Sequence, residues 1–240
     1  MKQNLSTETV LLPLFPLRLV LFPGQVLPLH IFEPRYRSMI EQCISEQQPF
    51  GVVLMREDTP DWREYHGDVT LPYDIGTTAH IRQVQRLPDG RFNLITVGVH
   101  RFRVRSLRFD MPFLQGEVEA YPLQQDMVET PLADSAGRSV SVVRRLLRGY
   151  MDLLTHLTDA ELDLDEVPDD PRTLAFLAAS VLQIPWDDKQ DLLETPNLSA
   201  LLETERVLLG REEMLLRFMQ ATQAVVEEQT QGATGYLFPN

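Results

Sequence analysis

Residues 12–36 read LPLFPLRLVLFPGQVLPLHIFEPRY, and this stretch decides the fold of the N-terminal half. Two short apolar runs, at 10–15 and 26–31, are bounded by prolines and predict two strands. Residues 22–24 (FPG) predict a turn between them, in which glycine supplies a positive φ. Pro34 suits the first turn of a helix, because its missing N–H would have no partner there. The stretch therefore predicts strand, turn, strand and helix in close succession.

The rest of the N-terminal half continues the strand pattern. After Pro34, one apolar helical face is expected, made of Tyr36, Met39, Ile40, Cys43 and Ile44. Further strands are predicted at 50–55, 77–87, 92–97, 100–109 and 113–121, with an irregular surface loop over 56–74. At least six strands with short turns predict a small, mostly antiparallel barrel with one helix. We assign residues 1–122 to this β-barrel subdomain.

Residues 123–240 change to helical periodicity. The pattern predicts a helix over 140–154, a second that starts at Asp170-Pro171, a third that Asp187 with Gln190 caps, and a long one over 201–228. Residues 229–240 contain two glycines and a proline and predict a loose tail. The predicted fold class is α+β, with an acidic helical subdomain after the barrel.

The composition excludes several classes of enzyme. The 240 residues carry a net charge of −13, of which residues 121–240 contribute −12. Of the 22 basic residues only Lys2 and Lys189 are lysine. Neither follows a Gly-rich phosphate loop, which excludes a P-loop ATPase. Aspartates flank Lys189 and favour its charged form, which argues against a Ser–Lys dyad.

Other site chemistry is also unsupported, so no catalytic residue, cofactor or metal is predicted. The single cysteine, Cys43, lies on the apolar helix face and predicts a buried, inert thiol. The five histidines lack metal-ligand spacing. Residues 161–170 (ELDLDEVPDD) are rich in carboxylates but lack the spacing of a calcium loop. No run is long and apolar enough to span a bilayer, and we expect a cytoplasmic protein.

The strand pattern places three arginines on one face. Arg101, Arg103 and Arg105 alternate with Phe102 and Val104, so the guanidinium groups share one side of a strand. This face could bind an anion or RNA. It could equally be a solvated face, or pair with a partner such as the acidic helical half. The net charge of −13 favours the second alternative, because it repels phosphate.

The opening stretch resembles the signature of the Lon protease N-terminal (substrate-binding) domain family. A second block is similar too, at Gly76-Thr77, Ile81, residues 87–90, Gly98 and Arg101-Phe102, as is the helical segment 189–194. The resemblance covers about residues 10–220. It implies a pseudo-barrel related to the PUA superfold, followed by a helical bundle. In Lon proteases this region helps to capture substrates ahead of an ATPase and a protease domain. Together with the lysine argument, it predicts a stand-alone protein that lacks both.

Three functions follow from these observations, in order of support. The first is a non-catalytic module that captures exposed apolar segments of unfolded client proteins, or acts as an adaptor for a separate protease or chaperone. The second is RNA or anion binding through the arginine-rich strands of a PUA-like barrel. The third is a hydrolase whose site the sequence does not reveal. The sequence leaves open the client, the binding surface and the oligomeric state.

Overall fold

The computed structural model describes residues 9–56, 71–124, 133–158 and 167–233. Six strands and five helices lie in this part of the chain, so the α+β prediction is confirmed. In chain order they are β1 (Val10–Leu17), β2 (Val26–Ile31), α1 (Pro34–Glu46), β3 (Phe50–Leu54), β4 (Ile75–Arg86), β5 (Phe92–Arg108), β6 (Gln115–Ala120), α2 (Ala133–Thr158), α3 (Pro171–Val181), α4 (Trp186–Glu194) and α5 (Leu198–Ala233).

The six strands form one mixed sheet in the order β2-β5-β4-β3-β1-β6. The β1–β3 pair is parallel, whereas the other pairs are antiparallel. A further pairing joins β5 to β6, so the hydrogen-bonded neighbours run from β1 through β3, β4, β5 and β6 back to β1. Strand β2 lies outside this circuit, on β5.

Strand β1 tolerates two prolines because it changes partner halfway along. Its first half, with Pro13, is in register with β6, and its second half, with Pro16, is in register with β3. Each half of β1 therefore pairs with a neighbouring strand along one edge only. A proline that faces the other edge lacks an N–H but breaks no hydrogen bond of the sheet. The turn that follows is as predicted, with Gly24 at φ 85°.

Strand β5 is one continuous strand, whereas the sequence predicts two strands separated by a short break. The predicted interruption fell at Gly98 and Val99, but both continue the strand. A Cβ on Gly98 would collide with the carbonyl oxygen of Phe22, so this glycine permits a close approach of two backbones. The prediction of separate strands at 92–97 and 100–109 is therefore wrong.

The hydrophobic core of the sheet falls into two clusters. The larger one packs the apolar face of α1 against the sheet and includes Met39, Ile40, Phe50 and Phe92. The smaller one is built from Leu12, Leu14, Val53, Phe102, Leu114 and Val118. The predicted face of α1 is confirmed, with Tyr36, Met39, Ile40 and Cys43 buried and Ile44 partly buried.

The chain divides into two compact units. The first holds residues 1–126 together with Ile184–Leu198, and the second holds Met127–Gln183 and Ser199–Asn240. Helix α4 thus belongs with the strands, although the division of the sequence at residue 122 placed it with the other helices. The predicted cap of α4 is wrong. The N-cap position is Pro185, which makes no side-chain cap hydrogen bond, and Asp187 lies in the first turn.

The second unit contains α2, α3 and most of α5. Asp170 caps α3 as predicted and accepts a hydrogen bond from the Thr173 N–H at 2.9 Å. Helix α5 is longer than predicted at both ends, so residues 229–233 are helical and not part of a loose tail. Residues 57–70 of the predicted loop, 161–166 of the carboxylate segment and 234–240 of the predicted tail lie outside the described residues.

Candidate functional site

The three arginines of the sequence prediction lie on one side of β5. Phe102 is buried in the smaller core cluster and Val104 packs against it, so the arginines between and beside them project away from that cluster. The guanidinium carbons of Arg101 and Arg103 lie 4.9 and 4.5 Å from the ring centroid of Tyr121. Arg105 is ion-paired with Glu119. The structure therefore brings the three side chains together around the Tyr121 ring and the Glu119 carboxylate.

Arg101 is committed to holding helix α4. Its side chain is buried, and Nη1 donates to the carbonyl oxygens of Leu193 and Thr195 at 2.6 and 2.7 Å. These carbonyls lie at the C-terminal end of α4, where a cation is favoured by the helix dipole. Burial lowers the pKa of Arg101 to about 10. Arg101 is thus a structural cap of α4 and is not presented to solvent.

Strand β6 supplies carboxylates that match the remaining positive charge. The pKa of Glu119 is lowered, first by its hydrogen bond from Arg105 and then by the charges of Arg105 and Arg103. The pKa of Glu117 is lowered by hydrogen bonds from Arg108 and Ser106. Opposite charges on neighbouring strands are a common stabilising pair. The arginine face is therefore largely neutralised within its own sheet.

Two more polar contacts hold α4 to the strands. Gln190 Nε2 donates to the carbonyl oxygen of Ile75 at 3.0 Å, and the Tyr121 hydroxyl donates to that of Glu194 at 2.8 Å. Sequence reasoning missed this arrangement, since nothing local in α4 shows that its carbonyls accept from β5. The burial of Gln190, whose amide needs a partner, becomes visible only in the structure.

The side chains with the potential for covalent or metal chemistry are inert or dispersed. Burial raises the pKa of the Cys43 thiol to about 12, so it stays protonated, as predicted. Lys189 is buried with its Nζ 5.5 Å from the Trp186 ring centroid, and burial lowers its pKa, so the prediction that the flanking aspartates favour its charged form is wrong. Within the described ranges, no group of three or more His, Cys, Asp or Glu side chains could hold a metal ion. Likewise, none of the helices described is both long and apolar enough to cross a membrane.

Helix α5 presents an apolar surface that the sequence did not assign. Leu201, Leu202 and Leu209 are buried near its start, whereas no side chain from 211 to 222 is buried. The large exposed apolar side chains of α5, which we call the α5 apolar face, are Val207, Met214, Leu215, Phe218 and Met219. Their spacings of three, four and seven residues place them along one side of the helix.

The charges beside the α5 apolar face are paired along the helix. Arg206 lies 2.6 Å from Glu203, Arg217 lies 2.7 Å from Glu213, and Arg211 lies 2.9 Å from Glu212. The helix thus carries a row of exposed methionine, leucine and phenylalanine between ion pairs that are already satisfied. Large apolar side chains that stay exposed side by side are typical of interaction surfaces.

A family model matches most of the chain. The model described as the ATP-dependent protease La (LON) substrate-binding domain matches residues 11–211. This is the family that the opening stretch predicts, so that prediction is confirmed.

Curated relatives carry the same name. Lon protease of Anaeromyxobacter dehalogenans is 28% identical over 225 residues, which are 93% of this chain and 26% of that protein. Lon protease 2 of Myxococcus xanthus is 30% identical over 217 residues, which are 90% of this chain and 25% of that protein. The chain thus spans about a quarter of the length of these relatives.

Two solved structures share the fold. The Lon N-terminal domain protein from Xanthomonas campestris is 26% identical, with a TM-score of 0.58, and the match covers 81% of this chain and 96% of that one. The N-terminal domain of Mycobacterium avium complex Lon protease has a TM-score of 0.62 at 20% identity and covers 84% and 98%. With the family match over residues 11–211, these findings show that the chain belongs to the Lon substrate-binding domain family.

Proposed function

We propose that this chain is a non-catalytic module that binds exposed apolar segments of unfolded or partly folded client proteins. It acts in this way by itself or as an adaptor for a separate protease or chaperone. The family description supports a role in binding substrate, and the sequence offers no P-loop. The closed circuit of five paired strands supports the related proposal of a PUA-like pseudo-barrel.

The α5 apolar face is the observation that carries this proposal. Met214 and Phe218 are 66% and 71% exposed, although each is a residue that folding normally buries. Methionine is flexible and polarisable, so a surface that contains it can adapt to many partner sequences. Each Å2 of apolar area removed from water contributes about 25 cal/mol. A client segment that covers this face would therefore bind without a fixed sequence.

The test is binding of a panel of unfolded polypeptides, labelled with a fluorophore and titrated with the purified chain. The double variant M214Q/F218Q should weaken binding about tenfold or more, because it removes two large apolar contacts. Its folding should be unchanged, since both side chains are already exposed. Phe32→Gln is the matched control, because Phe32 is 60% exposed but lies after β2, outside the α5 apolar face. Equal effects of the two variants, or no saturable binding by the unmodified chain, would refute the proposal.

RNA or anion binding by the arginine face has less support. Arg101 is buried as a cap, while Arg105 and Arg108 pair with carboxylates of β6. Arg103 is the member of the face that could still contribute charge to a ligand. The test is RNA affinity as a function of salt, which must fall steeply if phosphates are bound. An affinity that Arg103→Glu leaves unchanged would remove this alternative.

A further inference from the structure

The β4–β5 hairpin carries a cluster of polar side chains outside the arginine face. Its members, which we call the β4 donor cluster, are Thr78, His80 and Arg82 on β4 and His100 on β5. Ala79 and Ile81 alternate with the members on β4 and pack into the larger core cluster, so Thr78 and His80 lie on the opposite face of the strand. Arg82 and His100 are exposed, and Thr78 and His80 are half-buried.

Two irregularities of the β4–β5 ladder bring the cluster together. At the first shift of register, two residues of β5 face Thr78 alone, and His100 is one of them. At the second, Arg82 is an extra residue on β4. Such bulges re-aim side chains and are common beside binding sites. His80 lies between the two shifts, with Thr78 and Arg82 each about 7 Å away along the strand.

The cluster offers hydrogen-bond donors that have no acceptor in the described part of the chain. The Thr78 hydroxyl oxygen accepts the backbone N–H of His100 at 3.1 Å, so its own proton is free to be donated elsewhere. The side chains of His80, Arg82 and His100 make no ion pair and no hydrogen bond with the residues described. Donors of this kind, gathered without acceptors, are suited to an anion.

The charges around His80 are all positive among the residues that the structure describes. Burial lowers the pKa of His80, and the neighbouring charges of Arg82 and His100 lower it further. On the side of α1, the Glu46 carboxylate accepts hydrogen bonds from two glutamine amides and is not among the charges that act on His80. An anion at the cluster would therefore relieve repulsion between like charges.

The surrounding sequence also keeps the local potential positive. Residues 75–109 contain seven arginines and a single acidic residue, Asp89, which lies 2.6 Å from Arg91. The net charge of −13 comes almost wholly from residues 121–240. The acidic half weakens the approach of an anion from a distance, but it is screened at short range, where the cluster acts.

We propose that the β4 donor cluster binds a phosphoryl group with three free oxygens, either as inorganic phosphate or as the phosphate monoester of a small molecule. Its donors come from two strands and include a guanidinium, two imidazoles and a hydroxyl. They suit a tetrahedral group, whose oxygens point in different directions, better than a planar carboxylate. The site is open to solvent, so we expect affinities in the millimolar range. It is separate from the α5 apolar face and goes beyond the proposed function.

The test titrates sulfate, phosphate and acetate into the 15N-labelled chain at constant ionic strength. Sulfate and phosphate should shift the amide signals of Thr78, His80 and Arg82, whereas acetate should not. Sulfate is tetrahedral and keeps its double charge at neutral and mildly acidic pH, so a change in its affinity reports on the protein. It should bind about threefold or more tightly at about pH 6 than at pH 8, because the two histidines gain charge. His80→Gln should reduce this gain.

Arg82→Gln should weaken the binding of sulfate about fivefold or more, because a charged donor is lost. Arg86→Gln is the matched control, since Arg86 is an exposed arginine of the same strand that already lies 3.8 Å from Glu41. It should leave the titration unchanged. Both arginines are exposed, so the melting temperature without sulfate should stay that of the unmodified chain in both variants. Equal titrations of R82Q and R86Q, an affinity that does not change with pH, or equal shifts from acetate would each overturn the inference.

A comparison of phosphate, adenosine monophosphate and poly(U) RNA identifies the source of the group. Tighter binding of adenosine monophosphate than of phosphate supports a monoester, and the reverse supports the free ion. Poly(U) is joined by phosphodiesters, which have only two free oxygens. If it binds at these residues more tightly per phosphate than either small molecule, the proposed ligand is wrong and RNA takes its place.

Discussion

Two glycines, Gly24 and Gly210, have open space where a Cβ would lie, and their backbone conformations set them apart. No atom lies within 4 Å of the Cβ position of either residue. Gly24 sits in the turn after β1 at φ 85°, whereas Gly210 lies inside helix α5. Any effect of an alanine at these positions therefore comes from backbone conformation and not from crowding.

We expect Gly24→Ala to lower the free energy of unfolding by about 1 kcal/mol, because an L-residue is disfavoured in the left-handed region. Gly210→Ala should raise it by about 0.5–1 kcal/mol, because alanine favours the helix and loses less backbone entropy. Urea titrations followed by circular dichroism measure both changes. The same sign for the two variants would contradict this explanation.

At the scale of the element, helix α4 depends on an arginine from a distant strand. Arg101→Met should lower the free energy of unfolding by about 2–3 kcal/mol, because two carbonyls at the end of α4 lose a charged donor. Arg103→Met is the control, because Arg103 also contacts the Tyr121 ring. This variant loses only a cation–π contact, so its free energy of unfolding should fall by less than about 1 kcal/mol. Hydrogen exchange of the α4 amides should accelerate in R101M and not in R103M. Equal losses would show that Arg101 does not hold the helix.

The elements differ in how far the sequence predicts them, because some depend on local signals and others on distant ones. The apolar face of α1, the positive φ of Gly24 and the cap at Asp170 follow from neighbouring residues, and all three were predictable. The change of partner along β1 and the attachment of α4 depend on contacts between residues far apart in the chain. A periodic pattern does not report such contacts.

The candidate sites show the same limit. Alternation along β5 predicted three arginines on one face but gave them equal rank, and burial separates Arg101 from the others. On α5, an apolar stripe that folding covers has the same pattern as one that stays exposed. The β4 donor cluster depends on two shifts of register that no residue type in β4 announces.

At the scale of the whole molecule, stability should depend on pH through one buried carboxyl group. Most of the net charge of −13 lies in residues 121–240. An exposed carboxylate there, such as that of Glu203, has a lowered pKa because an arginine side chain donates hydrogen bonds to it. Glu205 behaves in the opposite way. Its side chain is fully buried, no described residue donates a hydrogen bond to either carboxylate oxygen, and burial raises its pKa well above the ordinary value of 4.5.

The sign of the pH dependence follows from proton binding. The unfolded chain releases the Glu205 proton near its ordinary pKa, while the folded chain keeps it to higher pH. Above about pH 4.5 the unfolded state then binds fewer protons, so the free energy of unfolding falls as the pH rises. Glu203 works in reverse, because its folded-state pKa is lowered and its contribution is lost as the pH falls.

We therefore expect Glu205→Gln to flatten the decline in stability between about pH 5 and pH 8, because the amide cannot lose a proton. The variant should be more stable than the unmodified chain at the upper end of this range, in urea titrations at each pH. Glu203→Gln, two residues away on the same helix but exposed, should give no such gain. If the curves of E205Q and the unmodified chain run parallel, Glu205 is not protonated in the fold, and its burial must be relieved by a partner that the structure does not show.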